Sequence, residues 1–130
     1  MARTLIDTNI AILLIEGDDV ALERVDTLPE VPLLSVVSTV ELEAGLYEYG
    51  QEDADLRRRL DLLLETVEEL PFTSHEVAAY GTIVARLGYS RRMIIDRMIA
   101  ATALTQAATL LTANPRDFRN IPGLTIEDWS

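Results

Sequence analysis

Three short apolar runs, Thr4-Leu5-Ile6, Pro32–Val37 and Thr109–Thr112, constrain this chain most, because polar residues end each one and helix-length segments separate them. Apolar runs of this length read as strands buried on both faces, and strands alternating with helices predict a parallel sheet covered on both sides. Between the first two runs, Ile10–Ile15 reads as a helix stopped by Gly17, and Val20–Leu28 as a second helix closed by Pro29. Ser38 and Glu41 have capping-box spacing, with Val37 and Leu42 as a hydrophobic staple, so a helix is expected to open at Ser38. Ala54–Val67 sets Leu56, Leu60, Leu63 and Val67 on one stripe, the pattern of an amphipathic helix. After a connection around Leu70–Phe72, Thr73 and Glu76 repeat the box, with Phe72 and Val77 as its staple, and open a helix running to Leu87 before Gly88. Ile94–Ala108 reads as an alanine-rich helix, Asn114-Pro115 as the start of a single turn, and Leu124–Ile126 as a last short strand. The expectation is an α/β fold in one domain over residues 1–130: a central, mostly parallel sheet flanked by helices on both faces.

In open sheets of this kind ligands bind beyond the carboxyl ends of the strands. Asp7 follows the first strand directly, Glu41 lies four residues past the second, and Asp117 five past Thr109–Thr112. Those three acids are therefore expected on one rim. Each also has an ordinary explanation. Asp7-Thr8-Asn9 caps a helix well, Glu41 occupies the box position, and Asp117 stands third after Asn114 with Pro115 at the favoured first position. Asp96 differs, because it interrupts the apolar segment Met93–Ala101. An aspartate in such surroundings needs a partner or a metal, and Arg92, four residues earlier, is placed to supply the first.

The chain has no cysteine and a single histidine. That histidine, His75, falls at the start of a helix where exposure is expected, a poor place for a catalytic base. A site built from these four acids, without thiolates or imidazoles, suits Mg²⁺ or Mn²⁺ rather than zinc. Neither a Gly-x-Ser-x-Gly motif nor a phosphate-binding glycine-rich loop is present, so serine nucleophile and P-loop chemistry are unsupported.

With 22 acids against 11 bases, and a net charge of −11, the chain is no general nucleic-acid coat. Every base is an arginine. Arg57–Arg59 read as a solvated helix face, whereas Arg91, Arg92 and Arg97, and Arg116 and Arg119, flank Asp96 and Asp117. The absence of cysteine fits a reducing compartment. Ala11–Ile15 and Met93–Leu104 are too short or too interrupted for the roughly 20 apolar residues a bilayer requires. The N-terminal residues run into an acid at position 7 and do not read as a secretory signal. A soluble, cytoplasmic protein is expected, with no membrane partner.

In this order and spacing, Leu5-Ile6-Asp7-Thr8-Asn9, Ser38-Thr39-Val40-Glu41-Leu42 with Gly45, Asp96–Ala103, Leu111-Thr112-Ala113-Asn114 with Asp117-Phe118, and Ile121-Pro122-Gly123-Leu124 resemble the PIN-domain ribonucleases of the VapC toxin type. The likeness spans nearly the whole chain. It implies a PIN-like domain and a metal-dependent endoribonuclease toxin of a type II toxin–antitoxin pair, silenced by a small VapB-type antitoxin, with homodimers or toxin–antitoxin hetero-oligomers as assemblies. It places Asp7, Glu41 and Asp96 as the main acidic triad, Asp117 as the more variable fourth acid, and Thr8 and Asn114 as polar residues lining the site. On this reading Mg²⁺ or Mn²⁺ held by the four acids activates a water for in-line attack on an RNA phosphodiester, leaving 5′-phosphate and 3′-hydroxyl ends. Arg91, Arg92, Arg97 and Arg116 are the candidates for holding flanking phosphates. Haloacid-dehalogenase-like phosphatases and phospho-receiver domains also place an acid after their first strand, but both rely on a lysine, and this chain has none. The remaining alternative is a PIN-like interaction module without catalytic activity, its acids serving as helix caps.

Overall fold

Leu5, Leu33 and Leu110 face one side of the sheet and Ile6, Leu34 and Leu111 the other, and all six are fully buried. This alternation within continuous apolar runs is the signature of strands covered on both faces. The computed structural model, which describes residues 3–130, has five strands: β1 (Thr4–Ile6), β2 (Leu33–Ser35), β3 (Glu68–Leu70), β4 (Thr109–Thr112) and β5 (Ile126–Asp128). They lie in the order β3-β2-β1-β4-β5, and every neighbouring pair is parallel. Six helices connect them: α1 (Thr8–Glu16), α2 (Asp19–Asp26), α3 (Val36–Gly45), α4 (Ala54–Thr66), α5 (Ser74–Leu87) and α6 (Ile94–Thr105), with 3₁₀ turns at Arg91–Met93 and Pro115–Phe118. Ile83 of α5 and Ile99, Ala100 and Ala103 of α6 fill one face. Ile10 of α1, Leu42 of α3, and Leu60 and Leu63 of α4 fill the other. Among the described residues no helix is long and apolar enough to cross a membrane.

Three elements depart from the sequence reading. Helix α3 opens one turn early: Ser35, not Ser38, is the cap, its hydroxyl accepting from Val37 N at 3.1 Å. The β-branched pair Val36-Val37 reads as strand, but a capping serine immediately before it ends the strand first. Ser38 and Leu42 are then interior, buried positions of α3, and Glu41 is no capping-box residue. Strand β3 was masked by its two exposed glutamates; only Leu70 points into the core, as suits an edge strand protected by charge. The last strand lies two residues later than Leu124–Ile126 suggests, where Ile126 pairs with Leu110. The box at Thr73 and Glu76 is formed, with Phe72 packed on the core, although Val77 of the expected staple is more than half exposed.

Because the sheet is fully parallel, β1, β2 and β4 all end on the same rim. Helix α6 runs from that rim back to the start of β4, so its first turn, which carries Asp96, begins there too.

Candidate active site

Asp7 is the residue at which β1 becomes α1. Its backbone is extended and it is only 5% exposed. Both carboxylate oxygens are occupied: Oδ1 accepts from Thr8 N at 2.8 Å and Oδ2 from the Thr112 hydroxyl at 2.8 Å. Thr112, fully buried at the end of β4, accepts in turn from Asn114 N at 3.0 Å and Asn9 Nδ2 at 3.4 Å. Asn9 Oδ1 accepts from Ala113 N at 3.2 Å. The ends of β1 and β4 are thus tied together around one carboxylate by neutral groups that orient it without cancelling its charge.

The neighbouring acid is held similarly. The Thr8 hydroxyl donates to Glu41 Oε1 at 2.5 Å, and the hydroxyls of Thr8 and Ser38 are hydrogen-bonded at 2.8 Å. A hydroxyl has one proton. With that of Thr8 on Glu41, the buried Ser38 donates to Thr8 and fixes it. Asp117 accepts from Asn114 Nδ2 at 2.8 Å. Asn114 makes no side-chain cap on the 3₁₀ turn that it precedes, so its amide is committed to the acid instead.

Asp96 is the third residue of α6 and half-buried, and the residue before that helix, Met93, makes no side-chain cap. Among the described residues it has no ion pair; Arg92, the partner expected from spacing, comes no closer than a diffuse attraction. Burial, followed by the charges of Asp117, Asp7 and Glu41, pushes its carboxyl up to about 6, with Arg92 pulling the other way. Asp7 is also raised, by burial first and then by Glu41 and Asp117, against the hydrogen bonds from Thr112 and Thr8. The four acids therefore sense one another across a common rim.

They are not already folded around an ion. Among the described residues no group of three acids stands close enough to hold one cation as the side chains lie. Mg²⁺ is commonly held by one or two carboxylates and several waters, so an all-protein cage is not required. A rim of four carboxylates, two with raised pKa and none in an ion pair among the described residues, is a donor set suited to a hard divalent ion.

The basic candidates divide. Arg91, Arg92 and Arg116 are exposed near the rim. Arg97 is not available to a phosphate: it is 9% exposed and its Nη1 donates to Gly88 O at 2.6 Å. One step along a helix turns a side chain by roughly 100°, so Arg97 points away from the face that Asp96 presents. Thr112, Ser38 and Asn9 support the acids, a part that the sequence does not assign to them. Thr112 had a signal, a hydroxyl ending an otherwise apolar strand beside the site.

Residues 4–124 match the sequence profile of the PIN domain. Ribonuclease VapC2 of Rickettsia felis is 28% identical over 131 residues, covering 96% of each chain. The tRNA(fMet)-specific endonuclease VapC of Shigella flexneri is 30% identical, with 100% of each chain covered. Among solved structures, DNA-bound VapBC of Salmonella typhimurium superposes with a TM-score of 0.80 at 27% identity, over 100% of each chain. VapBC2 of Rickettsia felis, bound to a promoter DNA fragment, shares the fold with a TM-score of 0.86 at 24% identity, over 98% of each chain.

Proposed function

This chain belongs to the PIN domain family, and we propose that it is a VapC-type toxin, a Mg²⁺- or Mn²⁺-dependent endoribonuclease held silent by a cognate VapB-type antitoxin. One observation carries the reading: four carboxylates from β1, α3, α6 and the turn after β4 share a rim on which only neutral hydroxyls and amides are spent to orient them. Helix capping accounts for one oxygen of Asp7, which caps α1, but not for Glu41, Asp96 or Asp117, and none of the four is in an ion pair among the described residues. Relatives named as VapC ribonucleases support the nuclease half, and solved VapBC assemblies support the partner.

A bound divalent ion supplies Lewis acidity and an activated water at neutral pH. The chain's own residues do the rest. Asp7 and Asp96 would hold the ion most directly. Thr112 and the Thr8 amide lock the rotamer of Asp7, while Ser38 and Thr8 aim Glu41 and Asn114 aims Asp117, two acids that would act through water or support a second ion. Arg91, Arg92 and Arg116 hold phosphates flanking the scissile one. The antitoxin's place is the cleft of about 230 Å³ between α1, α3 and α4, where Ile12, Leu42, Leu46 and Leu60 are bordered by Glu16 and Glu41. Such a cleft fits an amphipathic segment that brings a basic residue to the rim.

Incubating the purified chain with RNA and Mn²⁺ and mapping product ends tests this. Cleavage that requires metal and leaves 5′-phosphates is expected. A 2′,3′-cyclic phosphate, or cleavage indifferent to a chelator, sinks the mechanism. An interaction module would cleave nothing and would show no metal stabilisation that depends on Asp7 and Asp96.

A further inference from the structure

The eleven arginines sort by flank. Arg3, Arg57, Arg58 and Arg59 are in ion pairs, and Arg24 lies over the Trp129 ring at 5.6 Å. Arg97 is turned into Gly88. The other five, Arg86, Arg91, Arg92, Arg116 and Arg119, are exposed and have no ion-pair partner among the described residues. All five fall at the end of α5, in the turn before α6, or in and just after the turn following β4. In a chain of net charge −11, free positive charge is thus confined to the segments that lead into α6 and surround Asp117 in the chain, with Arg92 close enough to act on Asp96.

Tyr89 stands in the middle of this flank. It is 70% exposed, and its hydroxyl has no hydrogen-bond partner among the described residues. Exposed single aromatics are common and mean little alone. The backbone that carries this one is held in place. Gly88 has φ +87°, a conformation other residues adopt only with strain, and turns the chain sharply out of α5. Its carbonyl is clamped by Arg97, the residue after Asp96. The peptide leading into Tyr89 is therefore fastened to the helical turn that carries Asp96.

We propose that the substrate crosses this flank as single-stranded RNA and that Tyr89 stacks on a base next to the scissile phosphate, with Arg91 and Arg92 on the phosphates beside it. The proposal rests on the nuclease reading and adds the strand's path and its positioning residue. Free cations interleaved with an anchored aromatic match what an unpaired strand offers, phosphates and open base faces; a duplex hides the latter. The opposite flank, where Glu43, Glu52 and Asp55 neutralise the arginines, offers a polyanion nothing.

The test measures binding of a randomised, fluorescently labelled single-stranded RNA in the cleavage-deficient Asp96→Asn protein, with Mn²⁺. Tyr89→Ala is expected to weaken binding roughly five- to a hundredfold, the range for one lost base stack, while Tyr89→Phe and Tyr89→Trp retain it. Substituting Arg91 and Arg92 together by alanine should reduce the slope of log K against log salt by about 1.4. In the active protein Tyr89→Ala should raise KM more than it lowers kcat, with an unchanged melting temperature. Binding by Tyr89→Ala equal to the parent, or by Tyr89→Phe as weak as by Tyr89→Ala, overturns the proposal, as does an equal loss on double-stranded RNA. If the unmodified chain cleaves no RNA, the nuclease reading falls and takes this with it. If it cleaves and Tyr89→Ala keeps its KM, only the stacking role falls.

Discussion

Glu76 and Asp96 occupy the same position, the third residue of their helices, and their carboxyls are displaced in opposite directions. Burial acts on both to raise the pKa. At Glu76 it is outweighed by hydrogen bonds, first from the Thr73 hydroxyl at 2.6 Å, then from the Thr105 side chain and the Thr73 backbone N–H at 2.7 Å, so the carboxyl lies below its usual range. Asp96 has no such donors and faces three other acids, so burial and like charge add, and it reaches about 6. Position in a helix therefore does not decide which way an acid is displaced. What surrounds the charge does: Glu76 is ionised because the fold needs it so, whereas Asp96 is ionised at the fold's expense.

That contrast can be broken by exchanging the consequences. Asp96→Asn should abolish cleavage, by at least about a thousandfold or roughly 4 kcal/mol of transition-state stabilisation, while leaving the metal-free fold as stable as the parent or more so. Parallel activity and melting measurements check this; an Asp96→Asn protein that is inactive because it is unfolded would place Asp96 with Glu76. Next in size is the response to metal. Mn²⁺ at a hundred times its Kd should raise stability by about 2.7 kcal/mol, and substituting Asp7 or Asp96 by asparagine should remove most of that gain. Glu76→Ala completes the contrast from the other side. It should cost about 1 kcal/mol through loss of the reciprocal cap, lower the melting temperature, and leave the metal response in place.

The same contrast explains how much could be read from the sequence. The strands buried on both faces were legible because Leu5-Ile6, Leu33-Leu34 and Leu110-Leu111 are apolar on both sides. β3 was not, since its edge position leaves Glu68 and Glu69 in water and only Leu70 inside. Asp7, Glu41, Asp96 and Asp117 could be named from where polar residues interrupt apolar runs; parallel strands put Asp7, Glu41 and Asp117 on one rim, and the start of α6 adds Asp96. The ordinary explanation for Glu41 depends on Ser38 being the cap; the structure puts the cap at Ser35 and removes it. Arg97 went the other way. Its neighbours in sequence suggested a phosphate contact, but which side of α6 it presents depends on where the helix packs, and it packs inward against Gly88. Ser38 gives no sign in the sequence of its orienting part and Thr112 only a slight one, because a buried hydroxyl acquires its role from a partner distant in sequence.

The smallest expected effect is the most diagnostic, because its sign depends on metal. In the metal-free protein the folded state holds a proton on Asp96 up to about pH 6, whereas the unfolded chain releases it near 3.8. Between those values the folded form binds more protons, so stability should rise as pH falls from about 7 to about 5, and the raised carboxyl of Asp7 acts in the same sense. Glu76 opposes this only lower down: its contribution is intact above its ordinary value and is lost as pH falls through its depressed folded value. Asp96 is half exposed, so solvent screening makes the gain modest. Relief of the general negative charge raises stability over the same window, and the difference between the parent and Asp96→Asn isolates the share due to this one group. With saturating Mn²⁺ protons compete with the ion for the same carboxylates, and the slope should reverse, stability falling as pH drops below about 6. Melting curves at both pH values, with and without Mn²⁺, give four numbers for each protein. A slope of the same sign with and without metal, or one unaltered by Asp96→Asn, would mean that Asp96 does not face the ion.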